Sequence, residues 1–138
     1  MTIRGVTQAD AAPIAALIRE LAGDATDDDT AARLTSVLAR DDHRVWVFEQ
    51  GDRVEGVLHA FIRPALEKPV EVVVQSLVVS PKQRKAGIGR ALMIEAERWA
   101  QQSGHSSVAL HTRNAQAFYA RLGYAAVASP DLMRKTLT

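Results

Sequence analysis

The stretch Gln75-Ser76-Leu77-Val78-Val79-Ser80-Pro81-Lys82-Gln83-Arg84-Lys85-Ala86-Gly87-Ile88-Gly89-Arg90-Ala91-Leu92-Met93 joins strand formers to a glycine-bearing turn and the start of a helix. Residues 70–79 are nearly all β-branched or apolar, as expected for a central strand covered on both faces, and Ser80-Pro81 ends it. Downstream, Ile88, Leu92, Ala96 and Trp99 recur at near-helical spacing, with Arg90, Glu97, Arg98 and Gln101 mostly on the other side. Gly87 and Gly89 therefore open a helix directly after a buried strand. The first N–H groups of a helix have no intrahelical partner, and its dipole puts partial positive charge there, so such a turn attracts phosphate. Glycine lets the backbone approach an anion closely, and Arg84, Lys85 and Arg90 add charge suited to phosphate oxygens. Neither a nucleotide-triphosphate loop nor a dinucleotide fingerprint fits, because no Gly-Lys-Ser/Thr follows and the residue three after Gly89 is Leu92. A tight strand-to-helix turn also needs glycine for structural reasons, so spacing alone leaves both readings open.

Working outward, residues 3–6 read as a short first strand. Asp10 suits the cap of a helix with Pro13 in its first turn, Ile14, Leu17, Ile18 and Leu21 on one face, and Gly23 as its end. A second helix starts near Thr26, with Asp27, Asp28 and Asp29 against its N-terminal dipole and Ala31, Leu34 and Leu38 as its buried stripe. Val45-Trp46-Val47-Phe48 is a strand, and Gln50-Gly51-Asp52-Arg53 turns it into a second over 54–62. After the long helix come a short strand at 107–111, a short helix at 115–122 and strands at 124–127 and 132–137. The expectation is one α/β (α+β) domain spanning residues 1–138, with a mixed, mostly antiparallel sheet of six to seven strands and about four helices.

Composition narrows the function classes. No cysteine is present, which excludes disulfides, thiolate metal sites and a cysteine nucleophile. The formal charge of +1 argues against a general nucleic-acid binder. No apolar run approaches the ~18 residues of a membrane span, and the first residues lack a secretory pattern, so a cytoplasmic location is expected. His43, His59 and His105 show no metal-ligand spacing, and no metal is expected.

The quoted stretch resembles the signature segment of the GCN5-related N-acetyltransferases (GNAT): Gln or Arg, two residues, Gly, one residue, then Gly or Ala, matched here by Arg84, Gly87 and Gly89. Phe118-Tyr119-Ala120-Arg121-Leu122-Gly123-Tyr124 is similar to the family's second hallmark, an aromatic-Tyr pair followed by Gly and an aromatic residue. The resemblance implies acetyl-coenzyme A (acetyl-CoA) as cosubstrate and an amine as acceptor. Backbone groups of Leu77, Val78 and Val79 would bond the pantetheine arm and the acetyl carbonyl. Those of Arg84, Lys85, Ala86, Gly87, Ile88, Gly89 and Arg90 would cradle the pyrophosphate. Asn114 stands five residues before Tyr119, where many members place a pantetheine-contacting asparagine at seven.

Tyr119 is the candidate general acid for the departing thiolate, with a core tyrosine as the competing reading. Glu71 and His111 are candidates for accepting the amine proton. Glu71 shares a strand face with Val73 and Gln75, and His111 ends the strand beside the cleft. Exposure of Glu71, or a backbone-satisfied histidine at 111, would explain either without chemistry. The family places its acceptor site at residues 24–39 and 63–69, where Asp24, Asp27, Asp28 and Asp29 would attract a cationic amine. A non-catalytic acyl-CoA-binding sensor is the alternative function. Expected partners are acetyl-CoA and the amine, with homodimer formation compatible and neither nucleic acid nor membrane involved.

Overall fold

The computed structural model describes residues 2–84, 86–128 and 130–137. Strands β1 (Thr2–Gly5), β2 (His43–Gln50), β3 (Arg53–Arg63), β4 (Glu71–Val79) and β5 (Val108–Leu110) form one sheet in chain order. Successive pairs are antiparallel except β4–β5, which is parallel and is crossed by helix α3 (Ile88–Gln102). Helices α1 (Ala11–Ile18) and α2 (Asp27–Leu38) lie between β1 and β2, and α4 (Gln116–Arg121) follows β5.

The sheet is buried on both faces. Trp46, Phe48, Leu58, Ala60, Val72 and Val74 meet Ile88, Leu92, Met93 and Ala96 of α3 on one side. Val45, Val47, Val57 and Val78 meet Ile14, Leu17 and Leu34 on the other. Alternation along β2 and β3 divides the two sets, as the period of two requires. Gly56 brings α3 close: a Cβ there would stand 2.9 Å from Ile88 Cγ2 and 3.1 Å from Leu92 Cδ1. The start of α3 is thereby pressed onto the middle of the sheet.

Two local features shape β4. Its partners step from Ser76, opposite His59, to Val74, opposite Ala60, so Gln75 is an extra residue forming a β-bulge. Its ladder with β5 covers only Val72, Val73 and Val74. Beyond Val74 that edge of β4 has no strand neighbour among the described residues, and β4 and β5 part.

Four expectations are corrected. Among the described residues the sheet has five strands rather than six to seven. Residues 124–127 and 132–137 join no ladder; Val127, Leu132, Met133 and Leu137 are more than four-fifths exposed. Strand formers become strands only against a partner that satisfies their backbone, and β5 offers an edge of three residues. Next, α1 ends at Ile18, so Leu21 lies in the following turn and is 63% exposed rather than buried. Leu38 likewise leaves the buried stripe of α2, of which Leu34 is the central member. Finally, Asp10 does not cap α1 with its side chain. Its carboxylate instead accepts from the Thr7 N–H (2.8 Å) and from Arg4 Nη1 (2.8 Å) and Nη2 (2.9 Å). Thr26 does cap α2, accepting from the Asp29 N–H at 3.0 Å.

The hydrogen bonds from Arg4 hold the Asp10 carboxyl below the usual carboxylate range, against the desolvation that opposes it. A depressed folded pKa contributes stability that is fully present above the unfolded value and is lost as pH falls through the folded one. Asp10→Asn should therefore cost about 1–2 kcal/mol at pH 7, and the gap to wild type should narrow as pH falls from the unfolded carboxylate range through the lower folded pKa. Thermal melts of both proteins across that range check it.

Candidate active site

The parting of β4 from β5 opens beside the N-terminus of α3. A cavity of about 510 Å³ lies there, with Leu77, Val78 and Val79 of the open β4 edge along one wall. Gly87, Ile88, Gly89 and Arg90 form its end, and Gln83 and Arg84 of the preceding turn extend it. Gly87 adopts the left-handed conformation (φ 85°), which glycine takes without strain, as the cap residue of α3. A Cβ at Gly89 would stand 3.1 Å from the Phe118 ring. The site thus combines unpaired strand backbone, free helix N–H groups and the guanidinium groups of Arg84 and Arg90. That combination suits an elongated ligand with amides along its length and phosphate at one end.

Helix α4 closes the other wall with Ala115, Phe118, Tyr119 and Arg121. The two tyrosines of this region differ in their surroundings. Tyr124 O–H donates to Glu97 Oε2 at 2.7 Å, which ties its ring to α3. The Tyr119 phenol has no hydrogen-bond partner among the described residues, and its side chain faces the cavity. Burial raises its pKa, so it stays protonated at neutral pH. Its ring is held edge-on by Phe118 (4.9 Å between centroids) and Tyr124 (6.0 Å). A rigid, protonated phenol with an unused O–H is suited to donating a proton to something in the cavity.

Other candidate residues lie elsewhere. Ala86 is exposed in the turn and Asn114 is exposed just before α4; neither lines the cavity, and Lys85 lies outside the described residues. His111 is exposed immediately after β5, where the ladder with β4 has ended. Glu71 sits at the opposite end of β4, six residues and ~20 Å along the strand from Leu77. Its carboxylate is engaged by Arg63, by Lys68 (3.4 Å) and by Ser107 Oγ (3.2 Å). Desolvation opposes its charge, but those donors outweigh it and hold the carboxyl below the usual range. The structure therefore brings neither Glu71 nor His111 together with Tyr119 in the cavity.

Glu20 and Leu21, from the turn after α1, were not among the expected residues, yet they line the cavity. The exposed leucine was the available signal, hidden because the helical spacing ran one turn too far. Phe118 also lines it, although its sequence reads as plain core packing. Among the described residues no group of three or more His, Asp or Glu side chains is placed to hold a metal. No helix among them is long and apolar enough to cross a membrane.

The profile of the acetyltransferase (GNAT) family matches residues 14–124, from the first helix through the Tyr124 that follows α4. The chain belongs to the GNAT acetyltransferase family. Solved structures of similar fold include the aminoglycoside N-acetyltransferase AAC(6')-Iy in complex with CoA, with a TM-score of 0.88 at 20% identity, covering 99% of this chain and 95% of that one. The apo aminoglycoside 6'-N-acetyltransferase AAC(6')-IG from Acinetobacter haemolyticus aligns with a TM-score of 0.86 at 19% identity over all of both chains. A transcriptional regulator from Bacillus halodurans C-125 aligns with a TM-score of 0.87 at 18% identity, over 97% of this chain and 99% of that one. At these identities the likeness is one of fold. No curated protein sequence gives a significant match. Within the GNAT family acetyl-CoA is the acyl donor, which fits the strand-edge and helix-terminus chemistry of this cavity.

Proposed function

We propose that this chain is an acetyl-CoA-dependent N-acetyltransferase, a single domain acting in the cytoplasm on a primary amine of a small molecule or protein. The observation that carries the reading is the free, protonated phenol of Tyr119 opposite the open β4 edge in one cavity. Pantetheine amides would pair with backbone groups of Leu77, Val78 and Val79. The pyrophosphate would rest on the turn from Arg84 to Arg90 and the α3 N-terminus. The neutral amine nitrogen attacks the thioester carbonyl carbon; a C–N bond forms, the C–S bond breaks, Tyr119 gives its phenolic proton to the departing sulfur, and the proton shed by the nitrogen passes to solvent, which restores the phenol.

Two experiments test this. A panel containing spermidine, tobramycin and a lysine peptide, scored by thiol release from acetyl-CoA, should contain at least one acceptor. Retained acetyl-CoA binding with silence across a broad panel would favour a sensor instead. Separately, Gly89→Ala should weaken acetyl-CoA binding at least about tenfold, equivalent to about 1.4 kcal/mol, because the added methyl drives the Phe118 ring into the cavity. The melting temperature should hold or rise slightly, since alanine is the better helix residue. Calorimetric titration with a melt on the same sample reads both.

A further inference from the structure

We propose that Glu20, in the turn after α1, selects acceptors that carry a second positive charge, one short alkyl spacer away from the reacting amine. The proposal rests on the acetyltransferase reading above and names the substrate class of that same cavity.

The turn is built onto the end of α1. Glu20 N–H donates to Leu17 O at 3.0 Å, and the N–H groups of Leu21 and Ala22 donate to Ile18 O at 2.8 Å each. Arg19 Nη1 donates to Ala25 O at 2.9 Å and fastens the far side of the turn. Leu17 belongs to the same buried cluster as Val78, and Val78 lines the cavity. Glu20 and Leu21 therefore reach the cavity from the sheet face that carries α1 and α2. The start of α3 lies on the opposite face, where Ile88 packs with Leu58 and Val74.

Charge is divided along that direction. Arg84 and Arg90 stand at the α3 end of the cavity, and Arg121 lines the wall formed by α4. Among the described residues that line it, Glu20 alone is acidic. Its carboxylate is exposed and has neither a hydrogen bond nor an ion pair among the described residues. Arg19, its neighbour in the chain, is engaged by Ala25 O and by Asp27 Oδ1 at 3.4 Å. Asp24, Asp27, Asp28 and Asp29, the acids expected to attract the acceptor, lie outside the cavity lining.

A carboxylate held against the reacting nitrogen would keep it as ammonium and oppose attack, which requires the neutral amine. The charge that Glu20 receives is therefore a second one, on a nitrogen that stays protonated throughout. Leu21 beside it is 63% exposed and offers apolar surface to the methylenes between the two nitrogens. A monoamine gains only that apolar contact. The same field draws the phosphates of acetyl-CoA toward Arg84 and Arg90, so donor and acceptor are directed to opposite ends of one cavity.

The test compares thiol release from acetyl-CoA with spermidine, 1,4-diaminobutane and butylamine, in wild type, Glu20→Gln and Glu20→Lys. In wild type, kcat/KM for the better polyamine should exceed that for butylamine about tenfold or more. Glu20→Gln should bring the two within about threefold, mainly by raising KM for the polyamine about 5- to 10-fold, and Glu20→Lys should favour butylamine. Acetyl-CoA affinity and melting temperature should hardly change in Glu20→Gln, because the side chain is exposed and unbonded in the free protein. No preference in wild type, or one that survives both substitutions, overturns the assignment while leaving the acetyltransferase reading intact. Silence with these three amines also overturns the assignment, and silence with tobramycin and the lysine peptide as well overturns the acetyltransferase reading with it. Should a variant not fold, wild type alone decides. Raising salt from ~0.05 to ~0.5 M should weaken its preference for the polyamine several-fold, and an unchanged preference overturns the assignment.

Discussion

Tyr119→Phe should lower kcat by about 10²–10³-fold while acetyl-CoA affinity changes less than about twofold. The substitution removes one oxygen and keeps the ring that packs edge-on between Phe118 and Tyr124. Ground-state binding by the β4 edge and the α3 turn is untouched, so the loss belongs to proton donation to the thiolate. Because burial raises the Tyr119 pKa, the group is protonated below it and loses function only above it. Wild type should therefore show no alkaline fall due to this group below pH ~10. Tyr124→Phe is the matching control: it removes the bond to Glu97 and should cost stability, not chemistry. Equal turnover in wild type and Tyr119→Phe across pH would remove the phenol from the mechanism.

Leu92→Ala should destabilise the fold by about 3–4 kcal/mol, the cost of a cavity at a well-packed core site. Leu92 is fully buried between α3 and the sheet, and it reaches the gap left by Gly56. A domain of this size has about 5–15 kcal/mol in total, so the variant would be markedly less stable at 37 °C. The effect should spread to the cavity, since Ile88 and Leu92 together press the start of α3 against β3. Denaturant titration with and without acetyl-CoA separates the two consequences. Acetyl-CoA should recover part of the lost stability by binding only the folded form.

The elements flanking the cavity were legible because their local signals agree. Residues 70–79 combine strand propensity with burial, the periodicity of α3 is strong, and Gly87 and Gly89 stand where the strand gives way to that helix. What stayed hidden depends on partners distant in the chain. The Gln75 bulge is a property of the β3–β4 register, and alternation along β4 gives no warning of it. Glu71 read as a proton acceptor until Arg63, Lys68 and Ser107 were seen to converge on it. The last two expected strands had the right residues and no ladder to join. His43 and His59 were unremarkable at a separation of sixteen residues, until adjacent strands placed their ring nitrogens 2.8 Å apart.

The central claim is that acetyl-CoA lies between the open edge of β4 and the turn leading into α3. Backbone amide shifts recorded by NMR during titration with acetyl-CoA test it directly. The account predicts the largest changes at Leu77, Val78 and Val79 and at Gly87, Ile88, Gly89 and Arg90, with Glu71 and the β1–β2 ladder nearly unmoved. Saturable changes centred elsewhere, or no change at millimolar acetyl-CoA, would contradict it.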